Sequence, residues 1–246
     1  MAFQTVFKRY ELKYLLNRTQ KEHILSAMSP HMALDRYGRT TIRNIYFDTE
    51  NYRLIRRSLE KPLYKEKLRV RSYCRATPES TVFVELKKKY DHVVYKRRLA
   101  LSEWEATAWI SGSMPCPTRT QISAEIDYAL AYYGTLRPTV FLSYEREAYY
   151  ALDGSDFRVT FDENILCRQS ALSLTDEVFG DPLLQEGQTL MEIKCSGGIP
   201  LWMTHVLSAN RIYKTSFSKY GTAYQNMIFP RQLTNTLHNK ETHIHA

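Results

Sequence analysis

The sequence predicts an α+β fold that combines strands having one charged and one apolar face with amphipathic helices. Polar and apolar residues alternate in eight segments, as they do in strands with one buried face. These segments are 6–15, 42–48, 65–73, 82–89, 94–101, 139–149, 157–163 and 189–195. Four segments with helical periodicity lie between or after them. The length of 246 residues suits one large domain, which we expect over 1–230 with a mobile polar tail at 231–246.

Capping boxes predict where the first two helices begin. In this motif a hydroxyl side chain and an acidic side chain three residues later each cap the other's backbone. Thr19 and Glu22 have this spacing, ahead of a helix that we expect to end near Met28. Ser102 and Glu105 have it as well, ahead of a helix that contains two tryptophans.

Apolar periodicity predicts the other two helices. The stretch 122–134 places its apolar residues on one stripe, which is typical of a helix with one buried side. Pro200 suits the first turn of a further helix because a first-turn residue needs no backbone N–H. Trp202 and Leu207 would lie on the apolar side of that helix.

The strand at 65–73 places its cations on a single face. Side chains alternate between the two faces of a strand. One face therefore carries Lys65, Lys67, Arg69, Arg71 and Tyr73. Like charges on one face repel each other unless an anionic group lies opposite. Charged residues share a face in other predicted strands too, so we expect a sheet surface that binds a polyanion.

The net charge of the chain lies in the same region. The total is +8, and residues 61–98 contain 12 Lys or Arg against 4 Asp or Glu. The remainder contains 22 residues of each sign and is balanced. A charge excess confined to three predicted strands indicates a site, not a generally basic surface.

Two architectures fit this pattern. In a β-sandwich the charged faces would look out to solvent and the apolar faces would meet in the core. In a barrel the charges would line the lumen and the helices would cover the apolar exterior. The four helices and the one-signed clustering favour the barrel, since solvated strand faces usually mix both signs.

The charges on this face are suited to phosphate chemistry. Arg binds phosphate oxygens with two parallel hydrogen bonds, and Lys supplies a point charge. Glu11, Glu85 and Glu192 lie among these cations and are candidate ligands for Mg²⁺ or Mn²⁺. The alternative for each glutamate is a structural ion pair with a neighbouring cation.

Other functional classes are not indicated by the sequence. It lacks the motifs GxxxxGK[ST], GxSxG, HExxH and GxGxxG. Nucleic acid is a rival polyanion, but most tyrosines alternate onto apolar faces, so a phosphate chain is favoured over nucleic acid. The four cysteines have no metal-ligand spacing, which predicts reduced thiols in a cytoplasmic protein. No apolar run is long enough to cross a membrane as a helix.

Nine short motifs occur in an order that matches one family. They are Arg9-x-Glu11-x-Lys13-Tyr14, Ile45-Tyr46-Phe47-Asp48-Thr49, Lys67-Leu68-Arg69-Val70-Arg71-Ser72-Tyr73, Phe83-Val84-Glu85-Leu86-Lys87-Lys88-Lys89, Tyr95-Lys96-Arg97-Arg98, Ser143-Tyr144-Glu145-Arg146-Glu147-Ala148, Arg158-Val159-Thr160-Phe161-Asp162, Met191-Glu192-Ile193-Lys194 and Phe217-Ser218-Lys219-Tyr220-Gly221. From about Phe7 to Tyr224 the chain resembles the VTC catalytic domain, the polyphosphate polymerase branch of the triphosphate tunnel metalloenzymes in the CYTH-like superfamily.

The resemblance implies an eight-stranded antiparallel β-barrel, a triphosphate tunnel with a charged lumen and amphipathic helices outside. It implies an ATP-dependent phosphotransferase that adds the terminal phosphate of ATP to inorganic polyphosphate with Mn²⁺ or Mg²⁺. Phosphates would be bound by Lys13, Arg69, Arg71, Lys87, Lys96, Arg98, Arg146, Arg158, Lys194, Ser218 and Lys219. The residues assigned to catalysis are Arg69, Arg71, Lys87, Arg146, Arg158 and Glu192, and the metal would be bound by Glu192 with Glu11 and Glu85 as helpers.

One departure from the wider superfamily concerns the first strand. Other members carry Glu-x-Glu-x-Lys there, whereas this chain has Arg9 at the first position, as the VTC branch does. The loss of that carboxylate favours polymerisation over hydrolysis, although a tripolyphosphatase or nucleoside triphosphatase and a non-catalytic binding module for polyphosphate or inositol phosphate are alternatives. Fungal members also carry membrane spans, so we expect a separate membrane protein to receive the product at the inner face of a membrane.

Overall fold

A computed structural model describes residues 10–91 and 93–232, which form an antiparallel sheet of eleven strands. The strands are β1 (Tyr10–Leu16), β2 (Met32–Leu34), β3 (Thr40–Asp48), β4 (Tyr64–Ser72), β5 (Thr81–Tyr90), β6 (Val93–Ser102), β7 (Arg137–Ala151), β8 (Arg158–Arg168), β9 (Asp181–Pro182), β10 (Thr189–Cys195) and β11 (Lys214–Thr215). All eight predicted strands are confirmed, and the short β2, β9 and β11 are additional. Residues 6–9 of the first predicted strand lie outside the described residues.

Six α-helices and one π-helix accompany the sheet within the described ranges. They are α1 (Arg18–Met28), α2 (Arg53–Leu59), α3 (Glu103–Ile110), α4 (Gln121–Tyr133), α5 (Leu201–Ala209), α6 (Lys219–Ala223) and the π-helix Tyr224–Ile228. The four predicted helices correspond to α1, α3, α4 and α5. The expected tail lies, from residue 233 onward, outside the part of the chain that the structure describes. No described helix is long and apolar enough to cross a membrane.

The helix starts confirm one predicted capping box and correct the other. Ser102 and Glu105 form the box that begins α3. At α1 the box is formed by Asn17 and Gln20, not by Thr19 and Glu22. The prediction was wrong because Asn is as good an N-cap as Thr and Gln can replace Glu in the return hydrogen bond.

The strands follow the order β11-β1-β10-β8-β7-β3-β4-β5-β6, while β2 pairs with β7 and β9 pairs with β8. Backbone hydrogen bonds do not join the two ends of this order among the described residues, so the eight-stranded barrel is not reproduced as a closed ladder. The sheet is nevertheless strongly curled. Lys87 of β5 and Glu11 of β1 belong to opposite halves of the order, yet their side chains lie 3.6 Å apart. The face that bears both residues is therefore concave, and we call it the concave face.

Two apolar clusters cover the outer, convex face. One cluster joins β4 and β5, through residues such as Leu68 and Val84, to α3 and α4. The other joins β1, β8 and β10, through residues such as Ile193, to α1 and α5. Both clusters use the apolar side of strands whose other side is charged, as the alternation predicts. The helices therefore leave the charged side of these strands to face inward.

The segment of α6 and the π-helix packs on the concave side, which the sequence analysis did not predict. Tyr220 of α6 stacks on Tyr46 with ring centroids 4.8 Å apart. Tyr46 in turn accepts a hydrogen bond from Arg69, so α6 shares the face that carries the strand cations. A third apolar cluster fills this region and includes Val140 and Leu142. It explains why β7 mixes apolar residues and Arg146 on one face.

Asp48 ties this inner helix to the sheet. Its carboxylate accepts backbone hydrogen bonds from Leu54 and Ile55, both at 2.9 Å, and a hydrogen bond from the Tyr220 hydroxyl at 3.0 Å. Asp48 is fully buried, and burial raises its pKa although these donors act in the opposite direction. The aspartate of the Ile45–Thr49 motif therefore positions α2 and α6.

Candidate functional site

Glu85 is the centre of a first cluster of charges on the concave face. It lies on β5 directly between Arg69 of β4 and Arg98 of β6 in the sheet register. Its carboxylate contacts Arg69 at 2.7 Å, Lys96 at 2.7 Å and the Arg98 Nε at 2.6 Å. Burial alone would raise the pKa of Glu85, but Arg69, Arg71 and Lys96 hold it well below its usual range. The carboxylate is therefore ionised and orients three cations.

Neutral side chains hold the arginines of β4 in place. Arg69 donates from Nη1 to the Tyr46 hydroxyl at 2.9 Å. Arg71 donates from Nε to the Asn44 side chain at 2.8 Å and from Nη2 to the Tyr144 hydroxyl at 2.9 Å. A guanidinium has five donors in a fixed plane, so these bonds leave further N–H groups for a ligand. The sequence analysis did not identify Asn44, Tyr46 or Tyr144 as site residues.

Asp162 is the centre of a second cluster. Its side chain is fully buried and accepts two hydrogen bonds from Arg146, at 2.6 and 2.7 Å, and one from Lys219. Burial favours the neutral carboxyl, but Lys219 and Arg146 keep the pKa of Asp162 lowered. A bulge at Asn164, which has a φ of 47°, allows Asp162 and Ile165 to share the concave face. Asn adopts this left-handed conformation more readily than most residues.

Glu192 of β10 lies beside Asp162 and is surrounded by four cations. The carboxylate is 3.3–3.4 Å from Lys13, Arg146, Lys194 and Lys219. Burial opposes ionisation, but these cations, led by Lys219, hold the pKa of Glu192 well below its usual range. The predicted residues of four separate elements therefore meet at one buried carboxylate.

Glu11 lies between the second cluster and Lys87 of β5. It contacts Lys13 at 3.2 Å and Lys87 at 3.6 Å. Burial and the charge of Glu192 raise the pKa of Glu11, but Lys87 and the neighbouring lysines lower it to about 2. Glu11 and Glu192 both contact Lys13, so these two predicted metal ligands lie close together.

The remaining predicted residues lie at the edges of this constellation. Ser218 caps the N-terminus of α6, and its hydroxyl accepts a hydrogen bond from Lys67 at 2.9 Å. Arg158 is exposed at the start of β8, opposite Lys194 in the register, and forms no ion pair with another described residue. The structure thus brings together the predicted residues other than Arg158, and it adds Asp162, which the sequence analysis named in a motif without giving it a role.

The VTC domain family model matches residues 8–228. The chain belongs to the VTC domain family. A search of curated proteins finds no match. Arg9, the first residue of the first motif, lies outside the described residues.

Solved structures are similar to this VTC domain at low sequence identity. A candidate adenylate cyclase from Bacillus halodurans is 15% identical with a TM-score of 0.53, over 87% of this chain and 96% of that chain. A candidate adenylyl cyclase from Hippeastrum with a dominant triphosphatase activity is 16% identical with a TM-score of 0.49, over 87% and 94% of the two chains. The first likeness supports an α+β fold based on an antiparallel sheet.

Lys67 of the VTC domain should make stability depend on pH. Burial, together with the charges of Lys87, Lys13 and Lys65, lowers the pKa of Lys67 from 10.5 to about 7. Between these values the unfolded chain binds a proton that the folded protein does not, so the free energy of unfolding rises with pH. We expect Lys67→Met to lose this rise and to be more stable than the wild type below pH 7.

Chemical denaturation at several pH values would measure the difference. Lys88→Met is a matched control, because Lys88 lies on the convex face and contacts Glu125 at 3.2 Å. If the free energy of unfolding depended on pH in the same way in the wild type and in Lys67→Met, the lowered pKa of Lys67 would be contradicted.

Proposed function

We propose that this VTC domain is an ATP-dependent polyphosphate polymerase, which transfers the terminal phosphate of ATP to a growing inorganic polyphosphate chain. The observation that carries the proposal is the concave face itself. Cations from β1, β4, β5, β6, β7, β10 and α6 converge there around four buried or partly buried carboxylates. Such a surface neutralises an extended anion, which is the main requirement of phosphoryl transfer.

Phosphate binding would use the donors that the carboxylates orient. Arg69, Arg71 and Arg146 are held by neighbouring side chains, so they lose little freedom when they bind phosphate oxygens. Lys87 and Lys194 are more exposed and would add point charges. We further propose that these residues line a closed tunnel in which the contact between Glu11 and Lys87 spans the gap left by the strand ladder.

The donor set fits a divalent metal that is shared with the substrate. Among the described residues no group of three or more His, Cys, Asp or Glu is arranged to hold a metal ion. Mg²⁺ commonly binds through one or two carboxylates and takes its other ligands from water and substrate phosphates. Glu11 and Glu192 could supply the two carboxylates. Glu85 fits poorly, because three cations contact its oxygens at 2.5–2.7 Å, whereas the four cations around Glu192 are 3.3–3.4 Å from its oxygens. Bound there, Mg²⁺ or Mn²⁺ would neutralise phosphate charge.

The lowered pKa values of the carboxylates make none of them a good general base for a water nucleophile. A water nucleophile benefits from a general base whose pKa lies near the working pH. Glu11, Glu85, Asp162 and Glu192 all have lowered pKa values and contact cations, so each is a weak base. The terminal oxygen of a polyphosphate chain is already anionic and needs no base. Arg9 in the first motif is a second reason to prefer the polymerase.

The proposed transfer needs no covalent intermediate on the protein, because each bond that forms is matched by one that breaks. An anionic terminal oxygen of the acceptor chain forms a bond to the γ-phosphorus of ATP. The bond from that phosphorus to the β,γ-bridging oxygen breaks, and the bridging oxygen leaves with ADP. The cations of the concave face would stabilise the negative charge that develops on this oxygen.

Analysis of the products from ATP tests the proposal directly. Purified protein with ATP and Mn²⁺ should release ADP and accumulate acid-precipitable phosphate chains. Release of ADP with orthophosphate alone would contradict the polymerase and favour the tripolyphosphatase or nucleoside triphosphatase. Tight binding of phosphate chains without any ATP turnover would identify a non-catalytic binding module.

A further inference from the structure

Four lysines of β4 and β5 share one end of the concave face, beyond the cluster around Glu85, and a fifth lies close to them. The four are Lys65, Lys67, Lys87 and Lys89, and the fifth is Lys61, which precedes β4 and whose charge acts on Lys65. In the register of β4 and β5, Lys65 lies directly opposite Lys89, and Lys67 lies directly opposite Lys87. Like charges in directly opposed positions of a sheet are destabilising. The opposed lysines therefore lower the stability of the protein without a ligand, and their placement must serve a purpose other than stability.

Carboxylates compensate these lysines very little. Lys65 donates to the Ser58 carbonyl at 3.0 Å and Lys67 to the Ser218 hydroxyl at 2.9 Å, so both contact neutral oxygens. Lys87 contacts Glu11, at 3.6 Å. Within residues 10–91 and 93–232, no ion pair joins Lys61, Lys65, Lys67 or Lys89 to an acidic side chain.

The convex face of the same strand shows the usual arrangement. Lys88 lies between Lys87 and Lys89 in sequence and points to the opposite side of the sheet. It contacts Glu125 of α4 at 3.2 Å, and Arg97 of β6 contacts the same carboxylate at 3.0 Å. At Lys65, Lys67 and Lys89 the lack of a carboxylate partner among the described residues is therefore confined to the concave side, while Lys88 on the convex side of the same strand has one.

The lysines are close enough to influence one another. Burial is the main cause of the lowered pKa of Lys65, and the charges of Lys89, Lys61 and Lys87 add to it. The Lys65–Lys89 pair and the Lys67–Lys87 pair are separated by two residues along the strand, which is about 6.6 Å. A compact anion such as orthophosphate can neutralise one pair, whereas an extended anion can neutralise both pairs.

We propose that Lys61, Lys65, Lys67 and Lys89 bind phosphate groups of a linear chain beyond the three of a nucleoside triphosphate. The proposal deepens the proposed function, on which it rests, by locating where a long acceptor or product chain runs. Lys67 contacts Ser218 at the candidate site, and Lys61 is exposed, so the series leads outward from the site. Flexible ammonium groups impose less geometry than Arg forks, which suits a chain that must advance after each addition.

Binding of two phosphate chains to a double variant tests this inference. The variant is Lys65→Met with Lys89→Met, and the ligands are tripolyphosphate and a linear polyphosphate of defined greater length. In calorimetric titrations we expect affinity for the long chain to fall about tenfold or more, and the salt dependence of its binding to weaken by about one unit of slope per lysine. Affinity for tripolyphosphate should fall much less.

Lys88→Met is the matched control, since it removes the same charge from the convex face of the same strand. Equal losses for the two ligands, or no loss for the long chain, would overturn the inference. An equal loss for single-stranded DNA of matched charge would also overturn it, because the lysines would then be a general polyanion surface. Selective loss without any ATP turnover in the wild type would support the phosphate-chain segment while refuting the polymerase. ATP turnover in the wild type, together with equal losses of affinity for the two chains in the double variant, would support the polymerase and refute the phosphate-chain segment.

Discussion

Glu192→Gln should abolish ATP turnover and at the same time tighten the binding of tripolyphosphate in the absence of metal. The substitution removes one negative charge without changing the volume of the side chain. Lys13, Arg146, Lys194 and Lys219 all lie within 3.4 Å of the carboxylate and would gain uncompensated positive charge. An anionic ligand should therefore bind more strongly, whereas a divalent cation should bind more weakly.

The opposite signs of the two effects make this test specific. A general disturbance of the fold would weaken ligand binding and turnover together. We expect turnover to fall by about a hundred- to a thousandfold, the range typical when a group that stabilises the transition-state charge is removed. Turnover would be measured as ADP release with Mn²⁺, and affinity by titration with tripolyphosphate in the presence of a chelator.

Glu163→Gln provides a matched control. Glu163 lies on β8 and is also engaged by cations, with Lys21 at 2.7 Å and Arg39 at 2.8 Å, but it belongs to the convex face. Its substitution should leave both readouts nearly unchanged. If Glu192→Gln turned over ATP at the wild-type rate, its role in metal binding would be refuted. If it bound metal-free tripolyphosphate more weakly, Glu192 would not lie beside the phosphates.

Local alternation was enough to predict which strand residues face inward, because the side-chain period of a strand depends only on its own sequence. It could not show what neutralises them. Repulsion was expected along Lys67, Arg69 and Arg71, yet Glu85 lies opposite Arg69 in the register, and Asn44 and other neutral groups hold Arg71. At Lys67 the repulsion is not compensated in this way, because burial and the charges of Lys87, Lys13, Lys65 and Arg69 all lower its pKa.

Features that depend on contacts between distant segments were not predicted. Asp162 belongs to one of the motifs, but its partners Arg146 and Lys219 are 16 and 57 residues away in sequence. The helix α6 is only five residues long, which gives too short a pattern for periodicity to identify. Its position on the concave side depends on Tyr220, which reaches Asp48 across the sheet. Closure of the strand ladder into a barrel likewise depends on the whole sheet, so alternation within single strands could not predict it.

Asp162→Ala should strongly destabilise the protein without ligand. Asp162 is completely buried and neutralises Arg146 and Lys219, both of which are at least mostly buried. Removal of one partner from such a group leaves uncompensated buried charge and typically costs about 3–5 kcal/mol. We therefore expect a fall of this size in the free energy of unfolding, measured by chemical denaturation. Asp181→Ala is the control, because Asp181 and Arg231 form an exposed ion pair worth less than about 1 kcal/mol.

The pH dependence of the same variant provides an independent check. Asp162 has a lowered pKa in the folded protein, so its contribution to stability is present above its unfolded pKa and is lost as the pH falls through the folded value. The gap in stability between the wild type and Asp162→Ala should therefore narrow toward strongly acidic pH. A gap that stays constant would show that the substitution acts through packing and not through charge.

Ligand rescue separates a purely structural role of Asp162 from a role in the site. If Arg146 and Lys219 face the phosphates, tripolyphosphate supplies the negative charge that the variant lacks. Any ligand that binds only the folded state stabilises it, by about 2.7 kcal/mol at a hundred times its dissociation constant. In Asp162→Ala this stabilisation should exceed that of the wild type at the same ligand concentration, since the unpaired cations bind the anion more strongly. Equal or smaller rescue would mean that the two cations do not reach the ligand, and Asp162 would then stabilise the core alone.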